Sequence, residues 1–134
     1  MCSSDLARGA FVEAMDLLRE SAVRHDLARL HERVDQYDDA LPTAERLADE
    51  LTAAGFVDPA VDTFSFTLEY SSALELFSDP AIAHAALPDW RWCAEAAPDA
   101  DAVLAALRHA LDTYHRGGRI PVTVVGAVAS AWRG

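Results

Sequence analysis

The side chains able to do chemistry here are five histidines, two cysteines, an aspartate cluster and a group of aromatics. Their spacing decides what they can do. His25 and His31 are six positions apart, as are His109 and His115, and His84 stands alone. Two metal ligands on one helical face need the i, i+4 spacing, so these read as solvated or capping histidines. The stretch VDQYDD supplies Asp35, Asp38 and Asp39 but lacks the glycine and terminal glutamate of a calcium loop. It reads as a solvated helix end. Cys93 lies between Trp92 and Ala94, neighbours that do nothing to favour a thiolate, and is expected to be a structural thiol. No G-x-S-x-G nucleophile turn is present. The Gly117-Gly118 pair precedes the strand-like RIPVTVV, whereas a phosphate-binding loop follows a strand and opens a helix. That pair is expected to end a helix. No catalytic, cofactor-binding or metal residue is assigned.

The aromatics leave two options open. Trp90 and Trp92 fall in LPDWRWCAEAAPD, a passage with two prolines that reads as loop-rich. There, with Tyr37, Phe77 and Tyr114, they could line a pocket, or they could plug the gap between a short helix and a sheet. Tyr37, Phe77, Trp90 and Trp92 are carried forward as the substrate-side candidates.

The elements that must position these residues follow from periodicity and punctuation. Phe11, Met15, Leu18 and Ala22 recur at helical spacing between about Arg8 and Arg24. Leu27, Leu30, Val34 and Tyr37 form a second stripe from Asp26, stopped by Pro42. Thr43 caps a third helix carrying Leu47 and Leu51, which Gly55 ends. The period then changes. VDTFSFTLEY alternates strictly, with Phe64, Phe66, Leu68 and Tyr70 on one side, which predicts a strand with one buried face. Ser72 and Glu75 make a capping box for a short helix through Leu76 and Phe77. A longer helix from Asp99 carries Val103, Leu104, Leu107, Leu111 and Tyr114.

The last segment, IPVTVVGAVASAW, is apolar or small on both faces, as in strands buried inside a sheet. Two strands are expected in all, about 61–70 and 120–132, packed with about five helices. An interior strand needs neighbours on both sides, so the last strand asks for more sheet than these two segments supply.

Composition sets the outer limits. The 134 residues suffice for one domain with a core. Hydrophobic residues make up 51% and charged residues 25%, the usual balance of a globular chain. No apolar run is long enough to span a membrane. The net charge of −11, with no lysine and no basic cluster, opposes binding to nucleic acid or anionic membranes. Two cysteines give no disulfide framework, and a secretory leader pattern is absent, so a cytoplasmic setting is expected.

The order of features in LADELTAAGFVDPAVDTFSFTLEYSSALELF resembles the C-terminal portion of class I S-adenosylmethionine-dependent methyltransferases. A helix ends in AAGF, a strand follows, and a Ser-capped helix comes next. RGAFVEAMDLLRE resembles the segment those enzymes carry shortly after strand five. The resemblance covers about Arg8 to Trp132. It implies an α/β fold, an incomplete Rossmann-like sheet in which 61–70 is strand six and IPVTVVGAVASAW is strand seven. In that family strand seven runs antiparallel between strands five and six.

The resemblance further implies S-adenosylmethionine and a small-molecule acceptor for the parent enzyme. The family holds its cofactor with a Gly-rich turn after strand one and an acidic residue after strand two, and no residue here matches either. No cofactor is therefore expected for this chain alone, which should be catalytically inert. The edge of strand 120–132 would be covered by a missing N-terminal half. A standalone α+β module that homodimerises through that strand is the alternative. MCSSDL resembles the translated end of a sequencing-library adapter, so residues 1–6 are expected to be a non-native scar and 7–134 a single segment. Cys2, and any cap by Ser3 or Asp5, then carries no functional weight.

Overall fold

The computed structural model describes residues 2–115 and 118–133, with side chains from Asp5 onward. Strand β1 spans Cys2–Leu6, and helix α1 spans Val12–Arg24 after Phe11, which adopts a left-handed conformation at φ 60°. The α1 stripe of Phe11, Met15, Leu18 and Ala22 is buried, as its spacing predicts. Helix α2, Ala28–Ala40, buries Leu30 and Val34 and stops where Leu41 turns extended ahead of Pro42. Helix α3, Ala44–Ala53, starts where the Thr43 hydroxyl accepts the Arg46 N–H at 3.3 Å. It ends at Gly55, whose φ of 92° suits a residue without a Cβ.

Strand β2, Phe56–Tyr70, leads into helix α4, Ala73–Ser78. The Ser72 hydroxyl accepts the Glu75 N–H, while the Glu75 carboxylate reaches back to the Ser71 N–H, one residue beyond the reciprocal capping box. Helices α5, Pro80–Ala85, and α6, Leu87–Ala94, follow. The passage expected to be loop is thus helical over 87–94, because Pro88 sits in the first turn, where a missing N–H costs nothing. Helix α7, Ala100–Tyr114, is capped by the Asp99 carboxylate, and strand β3 spans Ile120–Arg133. Gly118 donates to the His115 carbonyl at 3.0 Å, and Gly117, the other half of the expected stop, lies outside the described residues.

The fold is α/β with an open, antiparallel sheet. Among the described residues it has three strands rather than two and seven helices rather than five, in the order β1-β3-β2. β3 is the interior strand, antiparallel to both neighbours. It pairs with β2 from Ile120↔Tyr70 to Arg133↔Phe56, with an irregularity between Val57 and Ala60, and with β1 from Gly126↔Leu6 to Ser130↔Cys2. Ser3, Ser4 and Asp5 carry no strand pattern of their own; β3's hydrogen-bonding edge imposes the third strand. Beyond Leu6 the chain keeps following that edge. Ala7 N–H donates to the Val125 carbonyl at 2.9 Å, Phe11 N–H donates to the Thr123 carbonyl at 2.7 Å, and Thr123 N–H donates to the Glu13 carboxylate at 2.7 Å.

Most of the core is built by helices α1, α2 and α4–α7, joined by Tyr70, Ile120 and Val122 from one end of the sheet. Along the rest of the sheet the two faces differ. Ala127, Ala129 and Ala131 are buried on one, where α3 packs along β2 and β3. On the other, Phe64 and Phe66 are about half exposed, against the expectation of a buried face. Alternation fixes which side chains share a face, but the alanine face is the one shallow enough for a helix to approach.

Candidate functional site

Helix α6 places Trp90 and Trp92 two residues apart, about 200° around the axis, so they point to opposite sides. Trp90 is fully buried at the centre of the helical core. Phe11 meets it edge-on with ring centroids 6.0 Å apart, and Phe77 does so at 5.7 Å. Its indole N–H has no hydrogen-bond partner among the described residues. Tyr37 joins this group through Asp89, whose carboxylate accepts the phenol O–H at 2.8 Å. Burial first and that hydrogen bond second hold the Tyr37 pKa above the ordinary tyrosine range. Trp92 is turned outward, with the Arg33 guanidinium 4.8 Å above its ring and donating to its carbonyl at 3.0 Å. The structure therefore brings together Tyr37, Phe77 and Trp90 and separates Trp92 from them.

Phe77 lines a groove of about 270 Å³ with Arg91, Asp101 and Arg108, and the Arg108 guanidinium lies 5.1 Å from its ring. A larger groove, about 470 Å³, runs between α1 and α7 and holds none of the four candidates. Its floor is Leu17, Leu18, Leu107 and Ala110, and its rim carries Glu20, His25, His109 and Tyr114. The Tyr114 hydroxyl donates to the Glu20 carboxylate across it, and the His109 ring faces the Thr113 hydroxyl at 3.4 Å. A further concavity of about 410 Å³ continues past Ser21, His25 and Ala106. His25 and His109 thus line one groove, although neither is paired with the other by sequence spacing. Periodicity within one helix carries no signal for such a pairing between two.

The remaining reactive groups are placed for structure. Cys93 is fully buried, and burial, with Asp89 second, pushes its thiol up to about 12, which keeps it protonated and unreactive at neutral pH. Asp35 and Asp38 are more than a solvated helix end. Arg19 reaches from α1 to donate to Asp35 at 2.9 Å and to Asp38, and meets Asp16 at 3.3 Å. His31 lies 3.3 Å from the other Asp35 oxygen. Among the described residues no group of three or more His, Cys, Asp or Glu side chains comes together to hold a metal.

One segment has the order strand, glycine turn, helix that phosphate-bearing cofactors use: β1, Gly9 and α1. Four of its backbone donors are already committed. The N–H groups of Ala7, Arg8, Ala10 and Phe11 donate to the carbonyls of Val125, Pro42, Ala7 and Thr123. Glu13 also places a carboxylate in the first turn of α1, where a bound anion would sit. The residues present do not fit a nucleotide-like cofactor at this turn. No helix among the described residues is long and apolar enough to cross a membrane. No family model matches the chain, and no curated protein matches it.

Proposed function

We propose that this chain is the C-terminal part of a class I S-adenosylmethionine-dependent methyltransferase acting on a small molecule, and that it is inactive by itself. The observation that supports this is the strand order. A long final strand lies between two others and antiparallel to both, with α1–α3 leading from β1 to β2 and α4–α7 leading from β2 to β3. In the family that arrangement belongs to strands five, seven and six. Here β2 takes the place of strand six and β3 of strand seven, while β1, Cys2–Leu6, covers only part of the edge along which strand five lies in the family. The committed donors around Gly9 support a cofactor site outside this chain. On the acceptor side Trp92 and Phe77 remain reachable, while Trp90 and Tyr37 act through packing. A reduced, cytoplasmic setting suits the buried, protonated Cys93.

Titration of the chain with S-adenosylmethionine by calorimetry should give no saturable heat; micromolar binding would sink the proposal. An in-frame strand–GxGxG–helix pattern upstream of codon 1 is the matching genetic expectation. Homodimerisation through the edge of 120–132 is the competing possibility, and the pairing of β3 disfavours it. β2 occupies one edge of β3 along its length and β1 occupies the other from Gly126 to Ser130.

A further inference from the structure

We propose that the groove between α4, α6 and α7 binds a small aromatic monocarboxylate, with Arg108 holding the carboxylate and Phe77 the ring. The groove and its charge belong to this chain, so binding does not depend on the methyltransferase proposal; only the further step, that such an acid is the methyl acceptor, rests on it. Arg108 is the starting observation. The chain carries 22 acidic side chains against 11 basic ones, yet the exposed Arg108 guanidinium has no carboxylate partner among the described residues. It lies over the Phe77 ring, 5.1 Å from the centroid. Both carboxylates that α7 carries are taken. Asp112, one turn on, accepts the Ala73 N–H at 2.7 Å where α4 begins. Asp101, two turns back, accepts from Arg91 at 3.0 Å. The N–H donors of Arg108 are thus free at the mouth of a groove, and stacking on a ring leaves the edge of the guanidinium fork open.

The lining selects the ligand. Phe77 and Leu87 are half-buried and Leu104 is buried, so the groove has an apolar floor. A flat ring laid there takes apolar surface of both partners out of water. A guanidinium fork receives a carboxylate through two parallel N–H···O bonds. Charge narrows the class. Asp101 neutralises Arg91, which leaves one net positive charge at the groove and fits a monoanion. A phosphate ester or nucleotide brings further negative charge to a chain of net charge −11, and the Asp101 carboxylate on the groove wall opposes it. Size narrows it again. The volume of about 270 Å³ lies below the ~300–1,000 Å³ of sites that take drug-sized ligands, so it fits a single ring system. The larger groove between α1 and α7 offers no such free cation, because Arg24 on its rim already donates to Glu20 at 2.7 Å.

Benzoate is the probe. Titrated into the full chain and followed by heteronuclear NMR, it should shift the Phe77, Leu104 and Arg108 amides saturably. The dissociation constant should be on the order of 1 mM, as a ligand of so few atoms permits. Benzyl alcohol has the ring without the charge and acetate the charge without the ring; each should bind about tenfold more weakly or worse. Arg108→Gln keeps a good helix former at an exposed position and should weaken benzoate about tenfold. Arg108→Lys should weaken it less, and Arg29→Gln, at an exposed arginine on α2, should leave it unchanged. Far-UV circular dichroism of each variant checks that the fold is kept. No saturable shift at concentrations about fifty times the expected constant overturns the inference. So does benzyl alcohol or inorganic phosphate binding as tightly as benzoate, or benzoate binding that survives Arg108→Gln. None of these arms contains S-adenosylmethionine, so benzoate can fail to bind while calorimetry supports the methyltransferase proposal, and the reverse.

Discussion

Replacing Glu13 tests how the β3 edge is closed. Its carboxylate accepts the Thr123 N–H at 2.7 Å and the Thr123 hydroxyl, 110 residues away in sequence. It does so just where β1 has ended and the neighbouring N–H groups of Ala7 and Phe11 take over. Glu13→Ala removes the acceptor for a part-buried backbone donor. Two charge-assisted hydrogen bonds, less what water can restore at this half-buried position, amount to about 2–3 kcal/mol. Glu13 also lies in the first turn of α1, where a negative charge contributes roughly 0.3–1 kcal/mol. For a domain of this size the sum corresponds to a fall in melting temperature of roughly 6–12 °C. Glu13→Gln keeps an oxygen acceptor and should lose less than half of that. Calorimetry gives the melting temperature, and hydrogen exchange gives a local readout, since the Thr123 amide should lose protection while Leu107 and Leu111 in α7 keep theirs. A Glu13→Ala chain that melts like the wild type, with Thr123 still protected, would refute the assignment of this contact as the closure of the strand.

Four further outcomes follow from the contacts already described. Arg19→Ala strands Asp16, Asp35 and Asp38 without their shared cation and should cost about 1–2 kcal/mol by chemical denaturation. Arg19→Lys should recover only part of it, because an ammonium cannot reproduce the fork. In a Cys2→Ser background, Cys93 should resist a thiol reagent at neutral pH until the chain is unfolded. Gly126→Ala should destabilise the chain by pushing the Phe64 ring off β3, and should do so less in a Phe64→Ala background; additive losses would contradict the contact.

The fourth concerns pH. Burial first and a hydrogen bond second (Tyr70 O–H to Asp79, 2.6 Å) raise Tyr70, as they do Tyr37 through Asp89. A raised folded pKa stabilises below the unfolded value and is lost as pH climbs, so stability should decline from about pH 10 upward. Asp79 is lowered, first by the Tyr70 hydroxyl, and Glu75 is lowered, first by the Ser71 hydroxyl. Their contribution is present above the ordinary carboxylate range and is lost as pH falls through about 4 and below. Denaturation midpoints across that range check both limbs.

What could be read from residues alone is what local physics decides. The Thr43 and Ser72 caps, the Gly55 stop, the α1 stripe and the change of period at β2 each depend on groups within a few positions, and each is where the spacing predicts. The misses depend on distant groups. β1 exists because β3 offers an edge, and α6 survives two prolines' worth of loop signal because Pro88 falls in a first turn and Trp90 gains the core behind it. Helices α1 and α7 form the groove bridged by Tyr114 and Glu20, and residues 80 or more positions apart line it together.

The face of the ribbon is the sharpest case. Alternation in VDTFSFTLEY sorts Phe64, Phe66, Leu68 and Tyr70 to one side, and their hydrophobicity predicts that this side is buried. Yet only Tyr70, at the end nearest the helical core, is buried. Which face a helix covers depends on how closely backbones can approach, and there the small residues of β3 decide. Ala127, Ala129 and Ala131 form a shallow strip, so α3 packs along the strands, and the aromatic face is left to water. Large exposed aromatics are costly to leave unpaired, and Phe64 recovers part of that cost by lying across Gly126. Phe66 and Trp132 have no such glycine opposite them, since their partners are Val124 and Val57. If the face served only the folded monomer, polar residues at those two positions would keep the strands and remove the liability. Their being aromatic is therefore not accounted for by the packing among the described residues.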